Sequence, residues 1–191
     1  VIAVMTEGDG RGVAGSTARD GIAAVDRAAA FDRLLERHLA DAYRLAALIL
    51  GDQSEAEDAT HDAAVRAWTA WGSLRDPSRF EAWFQRILVN VCRNRIRGRR
   101  LRPIPLDDPP VEAHDPLADT PERLALRAAL GRLTPDHRTV VVLRFFADLS
   151  IDEIAERTDE RAGTVRSRLH YALRELRAAY DAADRAAEVG R

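Results

Sequence analysis

Residues 149–176, LSIDEIAERTDERAGTVRSRLHYALREL, leave this chain few ways to fold. Ser150 stands three residues before Glu153, the spacing of a capping box that opens a helix. Ile151, Ile154 and Ala155 then share one face of a short helix, and Thr158, Asp159, Glu160 and Arg161 make a polar turn. A second helix follows, its apolar stripe made of Val165, Leu169, Ala172, Leu173 and Leu176 at i, i+3, i+4 spacing. Helices joined by so short a turn cross steeply, which is the helix-turn-helix arrangement. Away from the stripe, the second helix carries Arg166, Ser167, Arg168, His170 and Tyr171. Side chains of these types bind phosphates and base edges in a major groove. The plainer reading is an amphipathic hairpin with a solvated basic face.

The rest of the chain is expected to be helical too, because alanine and arginine dominate it and aromatic residues are only 6%. Its 191 residues suffice for one ordinary domain or two small ones. No apolar run reaches the ~20 residues that span a bilayer, and no basic stretch precedes an apolar core near residue 1. A soluble, cytoplasmic protein without membrane insertion is therefore expected. The single cysteine, Cys92, excludes an internal disulfide and a cysteine-cluster metal site. The five histidines lack ligand spacing, and there is neither a phosphate loop nor a nucleophile–base motif. No catalytic residue, metal or cofactor is expected.

The net charge of −2 conceals two opposed blocks. Seven arginines and no acid lie between Arg86 and Arg102, whereas six acids and no lysine or arginine lie between Asp107 and Glu122. Such segregation suits a surface for a polyanion beside an acidic tether.

Taken in order, residues 1–26 are rich in Gly, Ala, Thr and Asp without a sustained period and read as a disordered leader. A first helix is expected over 28–50, with Phe31, Leu34, Leu35, His38, Leu39, Ala42, Tyr43 and Ala46 inward and Gly51 as its C-terminal cap. Ser54 with Glu57, and Ser78 with Glu81, read as two further capping boxes. The helix opened by the first has Ala63, Ala64, Ala67, Trp68 and Trp71 as its expected inner face. It is acidic outside, at Glu55, Glu57, Asp58 and Asp62. Acids in a first turn are explained by the helix dipole, but Asp62 lies beyond it. Residues 72–77 read as a loop, and the helix after it buries Phe80, Trp83, Phe84, Ile87, Leu88 and Val91. Its later turns hold more arginine than capping requires. Residues 103–119 are acidic and proline-rich, hence a flexible linker. Thr120-Pro121 and Thr134-Pro135 each start a helix that leads to the helix-turn-helix, and residues 181–191 are expected to fray. The expected fold is all-α: two small helical domains, 27–102 and 120–180, on either side of the linker.

The two modules together resemble a bacterial RNA polymerase sigma factor of the extracytoplasmic-function group of the sigma-70 family. The resemblance spans residues 31–177. GDQSEAEDATHDAAVRAW is similar to that family's polymerase-binding helix, and WFQRILVNVCRNRIRGRR to its helix at the promoter −10 element. LTPDHRTVVVLRFFADLSIDEIAERTDERAGTVRSRLHYALREL is similar to its −35-reading domain. The resemblance implies that Glu57, Asp58 and Asp62 face a basic clamp on core RNA polymerase. It implies that the loop at Gly72, Ser73, Leu74 and Arg75, extending to Ser78, holds a flipped base together with Asn90. Arg93, Asn94 and Arg97 would follow the nearby backbone. Arg166, Ser167, Arg168, His170 and Tyr171 would face the −35 groove, with Thr164 donating to a phosphate at the helix N-terminus. Core polymerase and promoter DNA are the implied partners, and an anti-sigma factor is expected for the group.

Three positions depart from the family pattern. Asp159 and Glu160 stand where a glycine and then an apolar residue are usual, so a looser or shifted turn is expected. Ala64 stands where a bulky apolar residue is common. The competing function, a free-standing helix-turn-helix regulator with a sensing or dimerising N-terminal module, gives the acidic helix and the arginine-rich helix no shared purpose. If the linker only sets reach, scrambling residues 105–119 at constant length leaves transcription by core polymerase plus this protein largely intact, whereas severe shortening abolishes it. Run-off transcription on one promoter checks both.

Overall fold

The structure, a computed structural model, describes residues 17–101 and 121–189; the linker, residues 1–16 and the Thr120 cap lie outside them. The described residues form α1 (Thr17–Leu50), α2 (Gln53–Ala70), α3 (Phe80–Leu101), α4 (Pro121–Arg132), α5 (Pro135–Phe145), α6 (Ile151–Thr158) and α7 (Ala162–Val189). Short 3-10 turns, Trp71–Ser73 and Pro77–Arg79, lie at either end of the expected loop. Among the described residues there is no strand, as the composition leads one to expect.

Two helices outrun their expected bounds. α1 begins at Thr17, so residues 17–26 are helix rather than disordered leader. α7 continues to Val189, where fraying was expected after Tyr180. The reason is common to both. These stretches lack a sustained apolar stripe, but their alanines and arginines propagate a helix that is already nucleated.

The caps divide the same way. Ser150 and Glu153 form the expected box, Ser150 N donating to Glu153 Oε2 at 2.9 Å and Glu153 N to Ser150 Oγ at 3.3 Å. The Ser150 amide and hydroxyl hold the Glu153 carboxyl below the usual carboxylate range. Thr134 caps α5 through His137 N. The other two expected boxes do not form. Asp52, not Ser54, caps α2, accepting from Glu55 N at 2.8 Å. Asp76, not Ser78, accepts from Ser78 N at 3.0 Å, with Pro77 fixing the first turn. In each case an aspartate two residues earlier reaches the exposed amides first. Gly51 caps α1 as expected, at φ 75°, where a left-handed residue is needed.

Phe80 joins the first module together. It is 1% exposed, and its ring lies 5.9 Å from Phe31 and from Trp71 and 5.6 Å from Phe84. α2 meets its neighbours through small side chains, Ala56, Ala59, Ala63 and Ala67, all fully buried. This stripe corrects the expected one. Trp68 is half exposed, resting its edge on Phe31 at 5.2 Å, and Ala64 is only partly covered. Leu39 and Leu173, also expected inward, are exposed. The second module buries Val140, Val142, Leu143, Ile154, Val165 and Ala172. The modules are packed on one another, α5 against α1 and α6 against α3.

Cys92 is fully buried on α3, and burial pushes its thiol up to about 12. Since the thiolate is the nucleophile, iodoacetamide at pH 8 should leave native Cys92 unmodified and alkylate it readily in urea, as mass spectrometry would show. The sign for stability follows: the folded thiol resists ionising, so stability is unaffected below the unfolded value near 9 and declines as pH rises towards 12.

Candidate nucleic-acid interface

The helix-turn-helix closes tightly despite its two unusual residues. Asp159 adopts φ 54°, ψ 48°, the left-handed conformation that glycine commonly supplies and aspartate tolerates. Glu160 N donates to Ala155 O at 3.0 Å, and Thr164 N to Arg161 O at 2.9 Å. The expectation of a looser turn is therefore corrected. Glu160 is not a failed apolar anchor. Its side chain is 12% exposed, and its carboxylate accepts from Arg168 at 2.7 and 2.5 Å and from Arg93 of α3.

On α7, Thr164, Arg166, Ser167, His170 and Tyr171 are exposed. Arg166, Ser167, His170 and Tyr171 line a shallow concavity with Gly163. Ser167 Oγ bonds back to Gly163 O and Thr164 O at 3.0 Å, and the His170 ring meets the Tyr171 edge at 5.6 Å. Arg168 stands apart from this face. It turns to Glu160, with Asp136 at 3.6 Å.

α2 and α3 run antiparallel: Trp71 meets Phe80 at one end, and Asp58 and Asp62 meet Arg95 towards the other. This geometry divides the expected −10 residues. Gly72, Ser73, Leu74 and Arg75 lie at the Phe80 end, with Leu74 packed on the core and Ser73 Oγ bonded to Ala70 O at 2.7 Å. Asn90, half-buried, is about 15 Å further along α3, and Arg93, Asn94 and Arg97 are roughly 20–25 Å along it. Asn94 and Arg97 are exposed, whereas Arg93 points away to Thr158 O and Glu160. Arg27, which the sequence reading missed, lies over the loop. A Cβ on Gly72 would come within 2.5 Å of its guanidinium, so glycine is what lets that cation approach the backbone. Arg27 stands one residue before the expected start of the first helix at 28, and it is the longer α1 that carries it over the loop.

The acidic face of α2 is partly engaged. Arg95 donates to Asp62 at 2.6 Å and lies 3.6 Å from Asp58, and Arg99 pairs with Glu55. Asp62, unexplained by helix capping, thus joins α2 to α3. Glu57 and Asp58 remain exposed. Among the described residues, no group of three His, Cys, Asp or Glu is placed to hold a metal.

Comparison with known proteins accounts for both modules. The Sigma-70 region 2 family matches residues 34–102, and the Sigma-70, region 4 family matches residues 129–178. The RNA polymerase sigma factor SigV of Bacillus subtilis is 33% identical over 145 residues, covering 73% of this chain and 84% of SigV. The ECF RNA polymerase sigma factor SigM of Mycobacterium tuberculosis is 36% identical over 140 residues, 73% of this chain and 71% of SigM. The chain belongs to the ECF group of RNA polymerase sigma factors.

SigE of Mycolicibacterium smegmatis, another ECF relative, is 35% identical over 158 residues, and the matched part spans 77% of this sigma factor but only 60% of SigE. Among solved structures, RpoE of Bartonella quintana, in complex with the anti-sigma factor NepR, shares the fold at TM-score 0.59. Identity there is 23%, over 76% of this chain and 93% of that one. CnrH, in complex with the cytosolic domain of CnrY, aligns at TM-score 0.56 and 29% identity over 80% of this chain and 88% of that one. Sigma factors are non-catalytic initiation factors.

The exposed α7 face and the inward Arg168 predict different outcomes for two alanine variants. Arg166→Ala should weaken binding to the preferred −35 element by about 1–3 kcal/mol and relax specificity at one base. Arg168→Ala should instead lower the thermal midpoint, because Glu160 loses a partner. Fluorescence anisotropy with matched and mismatched duplexes, beside thermal melts, separates the two.

Proposed function

We propose that this sigma factor docks on core RNA polymerase through Glu57, Asp58 and Asp62, reads the −35 element with α7, and engages and helps melt the −10 element with the 72–78 loop and the arginine-rich part of α3. The observation that carries the reading is the presence on one chain of a region 2 match and a region 4 match, each containing an exposed basic surface. Arg166, Ser167, His170 and Tyr171 supply a forked donor, hydroxyl, imidazole and phenol at the start of a helix, the types that read base edges and phosphates. Thr164 sits where the N-terminal amides of α7 favour an anion. Arg27 and Arg75 bring positive charge to the loop that would receive an unstacked base. A free-standing regulator would leave the region 2 match without a purpose.

Each DNA surface is small, and the net charge of −2 gives no global attraction to duplex. Core polymerase would fix both modules at a set separation, so that two weak contacts act as one. Work beside the polymerase and its promoters places the protein in the cytoplasm. Among the described residues, no helix is long and apolar enough to cross a membrane. The relatives solved with NepR and CnrY suggest a further partner, an anti-sigma protein.

The test uses Glu57→Lys with Asp58→Lys, which leaves the 2.6 Å Arg95–Asp62 bond in place. The variant should keep its helicity, fail to co-elute with core polymerase on gel filtration and direct no transcription. The wild type should co-elute, start transcripts at defined sites, and alone bind promoter duplex poorly at physiological salt. Tight, specific promoter binding by the protein alone, without association with polymerase, overturns the proposal.

A further inference from the structure

We infer that Glu160 is an autoinhibitory latch: one carboxylate ties the second module to the first and withdraws Arg93 from the proposed −10 surface. The inference rests on the DNA-facing role proposed for the arginine-rich part of α3. Arg93, on α3, donates to Glu160 and to the Thr158 carbonyl at the end of α6. Arg168, on α7, donates to both oxygens of the same carboxylate. The Arg93 and Glu160 side chains are each 12% exposed, so the pair is largely withdrawn from water and weakly screened by salt. A guanidinium bound to a carboxylate in this way is not available to a phosphate, since both anions compete for the same planar donors. In the latched protein, Arg93 therefore cannot follow the −10 backbone.

The seam around the latch has further fastenings. Arg157, 7% exposed on α6, donates to Gln85 of α3 at 3.2 Å. Arg138 of α5 lies over Gly51, where a Cβ would meet its guanidinium at 2.6 Å, so α5 also rests on the end of α1. Opening needs only a competing anion for Arg93, and nucleic-acid phosphate is that anion. Module separation and DNA engagement become one equilibrium, whose closed side subtracts from the affinity of free protein.

The test uses the full chain. Glu160→Gln keeps the size of the side chain and removes its charge. Gln85→Lys sets a like charge beside Arg157 and opens the seam from α3 without touching the helix-turn-helix. Glu156→Gln, at an exposed position on α6, controls for the loss of one negative charge. Small-angle X-ray scattering should show a larger maximum dimension for Glu160→Gln and for Gln85→Lys than for wild type, and no change for Glu156→Gln. Both opened variants should bind a mixed-sequence duplex of about 30 base pairs on the order of tenfold more tightly, the factor by which the competent fraction rises. Circular dichroism establishes folding, and Gln85→Lys decides the outcome where Glu160→Gln melts early. Folded variants that keep wild-type dimensions overturn the latch, and so does expansion without a gain in DNA affinity. The shape readout is independent of the assigned function. Expansion with tighter DNA binding but no core-dependent transcription, even from wild type, supports the latch and overturns the sigma-factor mechanism instead.

Discussion

Phe80 is the residue on which the first module turns. It opens α3, ends the loop after α2, and contacts α1 through Phe31, so its burial fixes three segments relative to each other. Burying a phenylalanine contributes roughly 1.5–3 kcal/mol, and removing one from a packed core costs about 3–5 kcal/mol. The loop at Gly72 to Arg75 has few hydrogen bonds of its own. Its position is inherited from the aromatic cluster on one side and the Asp76 cap on the other. Because α2 meets the core through alanines, the helices come close enough for short charged contacts, and Arg95 and Arg99 reach across to Asp58, Asp62 and Glu55.

Much of this was written plainly in the sequence. Periodicity located α2, α3, α5, α6 and the core of α7, and the order of acidic, basic and helix-turn-helix stretches identified the family. What was missed has physical causes. Capping motifs compete, and a serine box gives way when an aspartate two residues upstream can reach the same amides, as at Asp52 and Asp76. Apolar spacing turns Trp68 inward, yet a stripe of four alanines gives closer helix contact. The ends of α1 and α7 carry propensity without amphipathicity, so a reading based on periodicity passes over them.

The charge of α3 shows a different limit. A run of arginines suggests one surface for one polyanion, but the structure distributes them. Arg95 and Arg99 face α2, Arg93 faces the second module, and Arg97 faces solvent. Successive helical residues are about 100° apart, so a contiguous basic run serves several partners at once. Composition reports the total charge of such a run. Only the neighbours report how much of it is already answered.

Glu160 brings these threads together. Glutamate at a helix-turn-helix turn reads as a defect by local rules, and a defect without compensation would loosen the turn. The compensation lies 67 residues away, in Arg93, and no local pattern could have revealed it. Its consequence follows from the shared carboxylate. Arg168 braces the start of α7 through the same carboxylate that holds Arg93, so the stiffness of the recognition helix depends in part on a contact that also controls module docking. An apolar residue there would brace the turn alike in free and bound protein. A glutamate makes the bracing conditional, because a partner that draws Arg93 away leaves Glu160 to Arg168 alone. The departure from the family pattern is thus where a property of the isolated turn becomes a property of the whole chain.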